Sequence, residues 1–178
     1  MGGYPPLRTV PLRCRREYLN SGSQPTSIRL FQKDEEESEI DVLIETERFV
    51  WFVEAKFRSD VSERTTNNPN RDQVIRNLDI GTWYAGVRDF YFSLLLVDTS
   101  HATKGTALVE LYAKRGPEIA DRLPHRPDGL TNLKGIGVLQ WSDLAAVLRE
   151  SGDSAPRSDE RAYANRAVAW LNGKGISG

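Results

Sequence analysis

A chain of 178 residues has room for one domain with a sizeable core, and its 24 Lys and Arg against 25 Asp and Glu give a formal net charge of -1, which excludes a globally basic nucleic-acid coat. The single Cys14 excludes an internal disulfide and fits a reducing, cytoplasmic setting, while one Cys and two His cannot build the usual zinc site. No long apolar run marks a membrane span or a signal peptide, so no membrane partner is expected.

Residues 1–25, rich in Pro, Gly and Arg, read as a basic, partly irregular arm with at most one short helix near Leu12–Leu19. Six basic side chains (Arg8, Arg13, Arg15, Arg16, Arg29 and Lys33) face one acid, Glu17, in the first 33 residues. Such an arm either touches phosphates or is simply a solvated terminus. Residues 26–151 read as an α/β domain, opening with a strand over Ser27–Gln32. Asp34–Glu37 reads as a solvated acidic loop. Two apolar strands follow, at about 39–45 and 48–57, joined by a tight turn. Val50-Trp51-Phe52-Val53 does not alternate with polar residues, which predicts a strand buried on both faces.

Asp41, Glu54 and Lys56 lie inside or at the ends of these strands, where charges are rare without a partner or a metal. Side chains two apart share a strand face, so Glu54 and Lys56 point with Val50 and Phe52, and away from Trp51, Val53, Ala55 and Phe57. A two-residue loop at Thr46-Glu47 pairs Asp41 with Phe52, one diagonal step from Glu54, whereas a four-residue loop sets Asp41 directly opposite Glu54. An odd loop puts Asp41 on the wrong face. No Asn-Gly or Asp-Gly signal fixes the length. The competing reading is a surface hairpin with ordinary solvated charges, since nine acids and one base fall between Asp34 and Glu54.

Farther along, Ser59–Asn70 is polar and ends in the loop signal Asn67-Asn68-Pro69-Asn70. Asp72–Ala85 reads as a helix stopped by Gly86, and Phe90–Val97 as a central strand. Thr106–Lys114 reads as another strand, Glu118–Leu123 as a short helix, and Gly137–Gln140 as a short strand. Ser142 is a candidate N-cap for a helix to Glu150. Residues 152–178 read as a linker, Gly152–Ser158, and a final amphipathic helix, Asp159–Leu171, packing on the same domain. Trp141 and Trp170 are assigned to packing, and His101 and His125 to loops. The order of three strands, a helix and a strand implies an α/β sheet of mixed direction.

Asp41 followed by Glu54-Ala55-Lys56 resembles the PD-(D/E)XK nuclease superfamily, in which an acidic residue on one strand faces Glu-x-Lys on the next. Ile40 stands where many members have a proline, and Arg71-Asp72-Gln73-Val74-Ile75-Arg76-Asn77-Leu78 is similar to the Gln-containing helix that follows the motif strand. The resemblance covers about residues 26–98. It implies a restriction-endonuclease-like core, a central mixed β-sheet flanked by α-helices, and a nuclease-like domain over 26–151. It also implies Mg2+-dependent hydrolysis of phosphodiester bonds, endo- or exonucleolytic, with Mn2+ as the alternative cation.

Asp41, Glu54 and the Ala55 carbonyl would hold the cation, since Mg2+ takes oxygen ligands while keeping several waters. Lys56 would act on the attacking water or the phosphate, and Gln73 would hold a water, a metal-bound group or a phosphate. Arg71 and Arg76 are candidate phosphate contacts, Arg76 sharing a helix face with Gln73. Trp83 and Tyr84 either stack on bases or pack on the sheet. Glu17 is either a further ligand or a surface charge. Two close carboxylates without a cation should repel, which predicts a site half-built until metal arrives. The partner is nucleic acid, DNA in preference to RNA, bound by a single chain or a homodimer. The alternative class is a noncatalytic nucleic-acid-binding or protein-interaction module that retains the nuclease fold.

Overall fold

The structure is a computed structural model that describes residues 11–12, 38–64 and 70–176. Glu17, the acidic loop and the strand expected over 27–32 lie outside the described residues, as does all but Leu12 of the helix expected near Leu12–Leu19. The elements run β1 (Pro11–Leu12), β2 (Ser38–Glu39), β3 (Val42–Glu45), β4 (Phe49–Lys56), α1 (Gln73–Ala85), β5 (Asp89–Leu96), α2 (Thr103–Ala113), α3 (Pro117–Arg122), β6 (Leu133–Gln140), α4 (Trp141–Ser154) and α5 (Ser158–Gly173). The protein is α/β: a four-stranded mixed sheet of order β3-β4-β5-β6 is flanked by helices, and β1 and β2 pair in a small antiparallel ribbon. β3 runs antiparallel to β4, whereas β4, β5 and β6 are parallel. Among the described residues no helix is long and apolar enough to cross a membrane.

Central position explains the unbroken apolar runs. β4 and β5 each have a strand on both sides, and the parallel register pairs Val50 with Phe90, Phe52 with Phe92 and Glu54 with Leu94. These residues share one face, where the Phe52 and Phe90 rings meet edge to face at 5.3 Å. The same core cluster takes Val74, Ile75 and Leu78 from α1 and Val109 and Tyr112 from α2. Burying each such side chain contributes about 1.5–3 kcal/mol against the entropy of ordering it. Gly81 lets α1 lie directly on this layer, because a Cβ there would come within 2.0 Å of the Phe90 ring.

α1 starts where expected. Asp72 caps it by accepting the Ile75 N–H at 2.9 Å, and Gly86 ends it with φ +62°. β6 is longer than the four residues expected, and a bulge between its pairings with Phe90 and Tyr91 admits Lys134 as an extra residue. That insertion breaks the alternation and hides the strand's first half from a period-two reading.

The strand expected over Thr106–Lys114 is a helix. Its buried residues Gly105, Val109 and Tyr112 recur at helical spacing, and its first turn is satisfied from far away in sequence. Asp60 accepts the N–H groups of Lys104 and Gly105, at 3.0 and 2.9 Å. α4 begins directly after β6 and not at Ser142, with the Asp143 carboxylate accepting the Gln140 N–H at 2.9 Å. It runs through Gly152 to Ser154, so the linker to α5 is only residues 155–157. Ala145 of α4, Leu171 of α5 and Ile176 form a second cluster with Val97, Trp141 and Leu148.

Candidate functional site

Thr46 settles the hairpin. Its hydroxyl accepts the N–H groups of Arg48 and Phe49, at 3.2 and 3.0 Å, while its own N–H donates to the Phe49 carbonyl at 2.9 Å. Four residues, Thr46–Phe49, therefore separate the paired Glu45 and Val50. Val42 pairs with Val53 in this register, which carried one residue further sets Asp41 opposite Glu54. Asp41 lies just outside β3, where its Oδ2 accepts the Ala55 N–H at 2.8 Å, and it remains exposed.

Glu54 is 5% exposed, on the same face as Phe52 and Lys56. Both of its carboxylate oxygens have partners. Lys56 Nζ lies 2.9 Å from Oε1, Gln73 Nε2 donates to Oε1 at 2.6 Å, and Asn77 Nδ2 donates to Oε2 at 3.1 Å. Gln73 and Asn77 are one helical turn apart, so α1 delivers both amides from one stripe. The Ser62 N–H donates to Gln73 Oε1 at 3.3 Å and the Gln73 N–H donates to the Ser62 carbonyl at 2.9 Å, which fixes which end of the Gln73 amide faces Glu54. Against the expectation of a half-built, self-repelling site, Glu54 already has a countercharge in Lys56 and two amide donors without any cation.

The structure thus brings Asp41, Glu54, Ala55, Lys56 and Gln73 together at the C-terminal end of β4. Asn77 is the participant that reading the sequence missed. Its signal was there, four residues after Gln73, but nothing local tells an inward amide from an exposed one.

Arg71 is not available as a phosphate contact. It is buried, and its guanidinium is bound to Asp79 at 2.8 Å. Asp79 is completely buried and also accepts from His125 at 2.9 Å and from Arg126 at 2.7 Å. Burial pushes the Asp79 carboxyl up, but the His125 hydrogen bond and the charges of Arg126 and Arg71 outweigh it and hold the carboxyl below its ordinary range. His125, assigned to a loop by its sequence, therefore ties that loop to α1. Arg76 is partly exposed, with its Nε buried and unpartnered among the described residues. Tyr84 packs rather than stacking on a ligand: its ring is 6.0 Å from Phe52 and its hydroxyl donates to Glu45 at 3.0 Å. Trp83 is half-buried.

Among the described residues, no group of three or more His, Cys, Asp or Glu side chains is placed to hold a metal ion. Mg2+ needs less from the protein, commonly one or two carboxylates with waters completing the shell. The donors here are hard oxygens. Asp41 uses one oxygen on Ala55, and a carboxylate offers about four acceptor positions, of which the three donors to Glu54 leave one open. Asp41 and Glu54 therefore each keep a hard-oxygen acceptor position of the kind Mg2+ takes.

In comparison with known proteins, the chain matches no family model, no curated protein and no solved structure.

Proposed function

We propose that this chain is a Mg2+-dependent nuclease with a restriction-endonuclease-like core, hydrolysing phosphodiester bonds of nucleic acid, DNA in preference to RNA. The observation that carries the proposal is Glu54. Packing does not require a carboxylate between Phe52 and Lys56 on the core face, where an apolar side chain would avoid the desolvation cost. Instead Lys56, Gln73 and Asn77 all converge on a carboxylate there, with Asp41 bound to the next residue's N–H, that of Ala55.

Asp41, Glu54 and the Ala55 carbonyl would hold Mg2+, which when bound lowers the pKa of a coordinated water and neutralises phosphate charge. Gln73 and Asn77 hold the two Glu54 oxygens in one orientation, so the carboxylate does not reorganise as charge develops nearby. Lys56, partly exposed beside Glu54, is the cation of the group. Turning from Glu54 towards a phosphodiester, it orients the attacking water and stabilises negative charge on the phosphoryl oxygens.

A second reading, a noncatalytic binding module, is favoured by the satisfaction of Glu54 without any added cation and by the formal charge of -1. Melting temperature against Mg2+ and Mn2+ separates the two. The nuclease reading expects a cation-dependent rise in Tm that disappears in Asp41→Ala. A wild-type Tm indifferent to both cations replaces it with the binding module.

A further inference from the structure

Two residues beyond Lys56 the chain leaves the sheet through Phe57 and Arg58, and Arg58 takes φ +60°, uncommon for a residue with a side chain. In that turn the Arg58 guanidinium lies 5.4 Å from the centre of the Phe57 ring, which is 38% exposed, and donates to the Lys174 carbonyl at 3.4 Å. Lys174 follows α5, and its ammonium lies 5.6 Å from the centre of the Trp170 ring. Trp170, assigned to packing by its sequence, is instead 56% exposed, and Tyr163 is 61% exposed. α5 buries Ala164 and Leu171 on another side. Tyr163, Arg166, Trp170 and Lys174 recur at intervals of three and four, so they form one stripe, about 16 Å long at 1.5 Å per residue. Among the described residues, Arg58, Arg166 and Lys174 have no carboxylate partner.

We propose that Phe57, Arg58 and the Tyr163–Arg166–Trp170–Lys174 stripe form a docking surface for single-stranded nucleic acid, leading to the Lys56 end of β4. The proposal rests on the nucleic-acid reading above and extends it to the form of the strand. Charge selects the partner: three cations without carboxylates complement a phosphate chain, not a neutral or basic surface. The interleaved rings select its state. Exposed aromatic faces bind bases by stacking, and a duplex keeps those faces hidden inside its own stack. Each ring with an adjacent cation, Phe57 with Arg58 and Trp170 with Lys174, is suited to one nucleotide, base on ring and phosphate on cation.

Fluorescence anisotropy with labelled oligo-dT, oligo-U and a duplex, in EDTA so that no cleavage intervenes, tests this on the full chain. The wild type should bind one or both single strands more tightly than the duplex. In the triple variant Arg58→Ala/Arg166→Ala/Lys174→Ala, the slope of log K against log salt should fall by about 2, since each phosphate contact on a single strand contributes about 0.7. Trp170→Ala should weaken binding about tenfold through lost stacking. All the substituted residues are exposed, and an unchanged Tm verifies that loss of the Arg58 bond to Lys174 leaves the fold intact. Duplex binding as tight as single-strand binding overturns the proposal, and so do wild-type affinity and salt slope in the folded variants. Strand binding that depends on these residues, in a protein that cleaves nothing, sustains the surface and removes the nuclease. Cleavage by a wild type whose binding ignores these residues does the reverse.

Discussion

Gln73 donates its side-chain amide to Glu54 across 2.6 Å while its own carbonyl oxygen is held by the Ser62 N–H. One side chain thereby links the start of α1, the strand that carries the candidate carboxylate, and the segment that leaves that strand. The link makes the position of Glu54 depend on the seating of α1.

Asn77→Ala should therefore act on the site through Glu54. The substitution leaves Oε2 of a buried carboxylate without its donor, an expected loss of about 1–3 kcal/mol in chemical denaturation. Asn77→Asp should cost at least as much, because it sets a second carboxylate against the first. A denaturation midpoint equal to wild type in both variants would show that Asn77 does not support Glu54.

Glu54→Ala should have the opposite sign from that expected of two repelling carboxylates. Removing the carboxylate strands Lys56, Gln73 and Asn77 around an apolar gap, so the cation-free protein should lose about 3–5 kcal/mol, the usual cost of breaking a buried pair. Glu54→Gln keeps the volume and should lose less. A Glu54→Ala protein more stable than wild type in EDTA would restore the repulsive picture.

The Asp79 cluster predicts an acid-dependent term. Its folded carboxyl lies below its ordinary range, so the unfolded chain takes up the proton first as pH falls. The resulting stability is fully present above the unfolded value of about 4 and is lost as pH drops through the folded value. Asp79→Asn should unfold more easily than wild type at neutral pH, with the gap closing below about pH 4. A gap independent of pH would place the cost in lost geometry alone, not in charge.

Gly81→Ala should be destabilising although alanine favours helices. Its Cβ would sit 2.0 Å from a Phe90 ring held in the core, which cannot withdraw. Strain of about 1–3 kcal/mol is expected from such overpacking. Phe90→Leu in the same background should recover part of it, a coupling that a double-mutant cycle reads directly.

Much of the site was legible because strand alternation is strict. Once Glu54 and Lys56 were two apart on a strand buried on both faces, only the hairpin loop remained open, and Thr46 closed it through side-chain bonds that carry no dipeptide signature. The helix at Gln73 was legible from Asp72 and Gly86, both local signals. What escaped reading was settled at long range. Arg71 looked like a surface cation because Asp79, which it binds, lies eight residues away, and the His125 and Arg126 that share Asp79 lie 54 and 55 residues away. The Thr106–Lys114 segment looked like a strand because Asp60, which caps that helix, precedes it by more than 40 residues. Trp170 looked like a core residue because its size argues for burial, and only the packing of α5 on Ala164 and Leu171 turns it outward.

The most direct test of the catalytic account is a cleavage assay on labelled single-stranded DNA, duplex DNA and RNA, with Mg2+, Mn2+ or EDTA. It compares the wild type with Asp41→Asn, Glu54→Gln and Lys56→Ala, each verified as folded. The account predicts cation-dependent cleavage by the wild type of at least one substrate. Loss of at least about 100-fold is expected in each variant, with Lys56→Ala still showing the cation-dependent rise in Tm. Undiminished cleavage by Lys56→Ala, or a wild type that cleaves no substrate and binds neither cation, would contradict it.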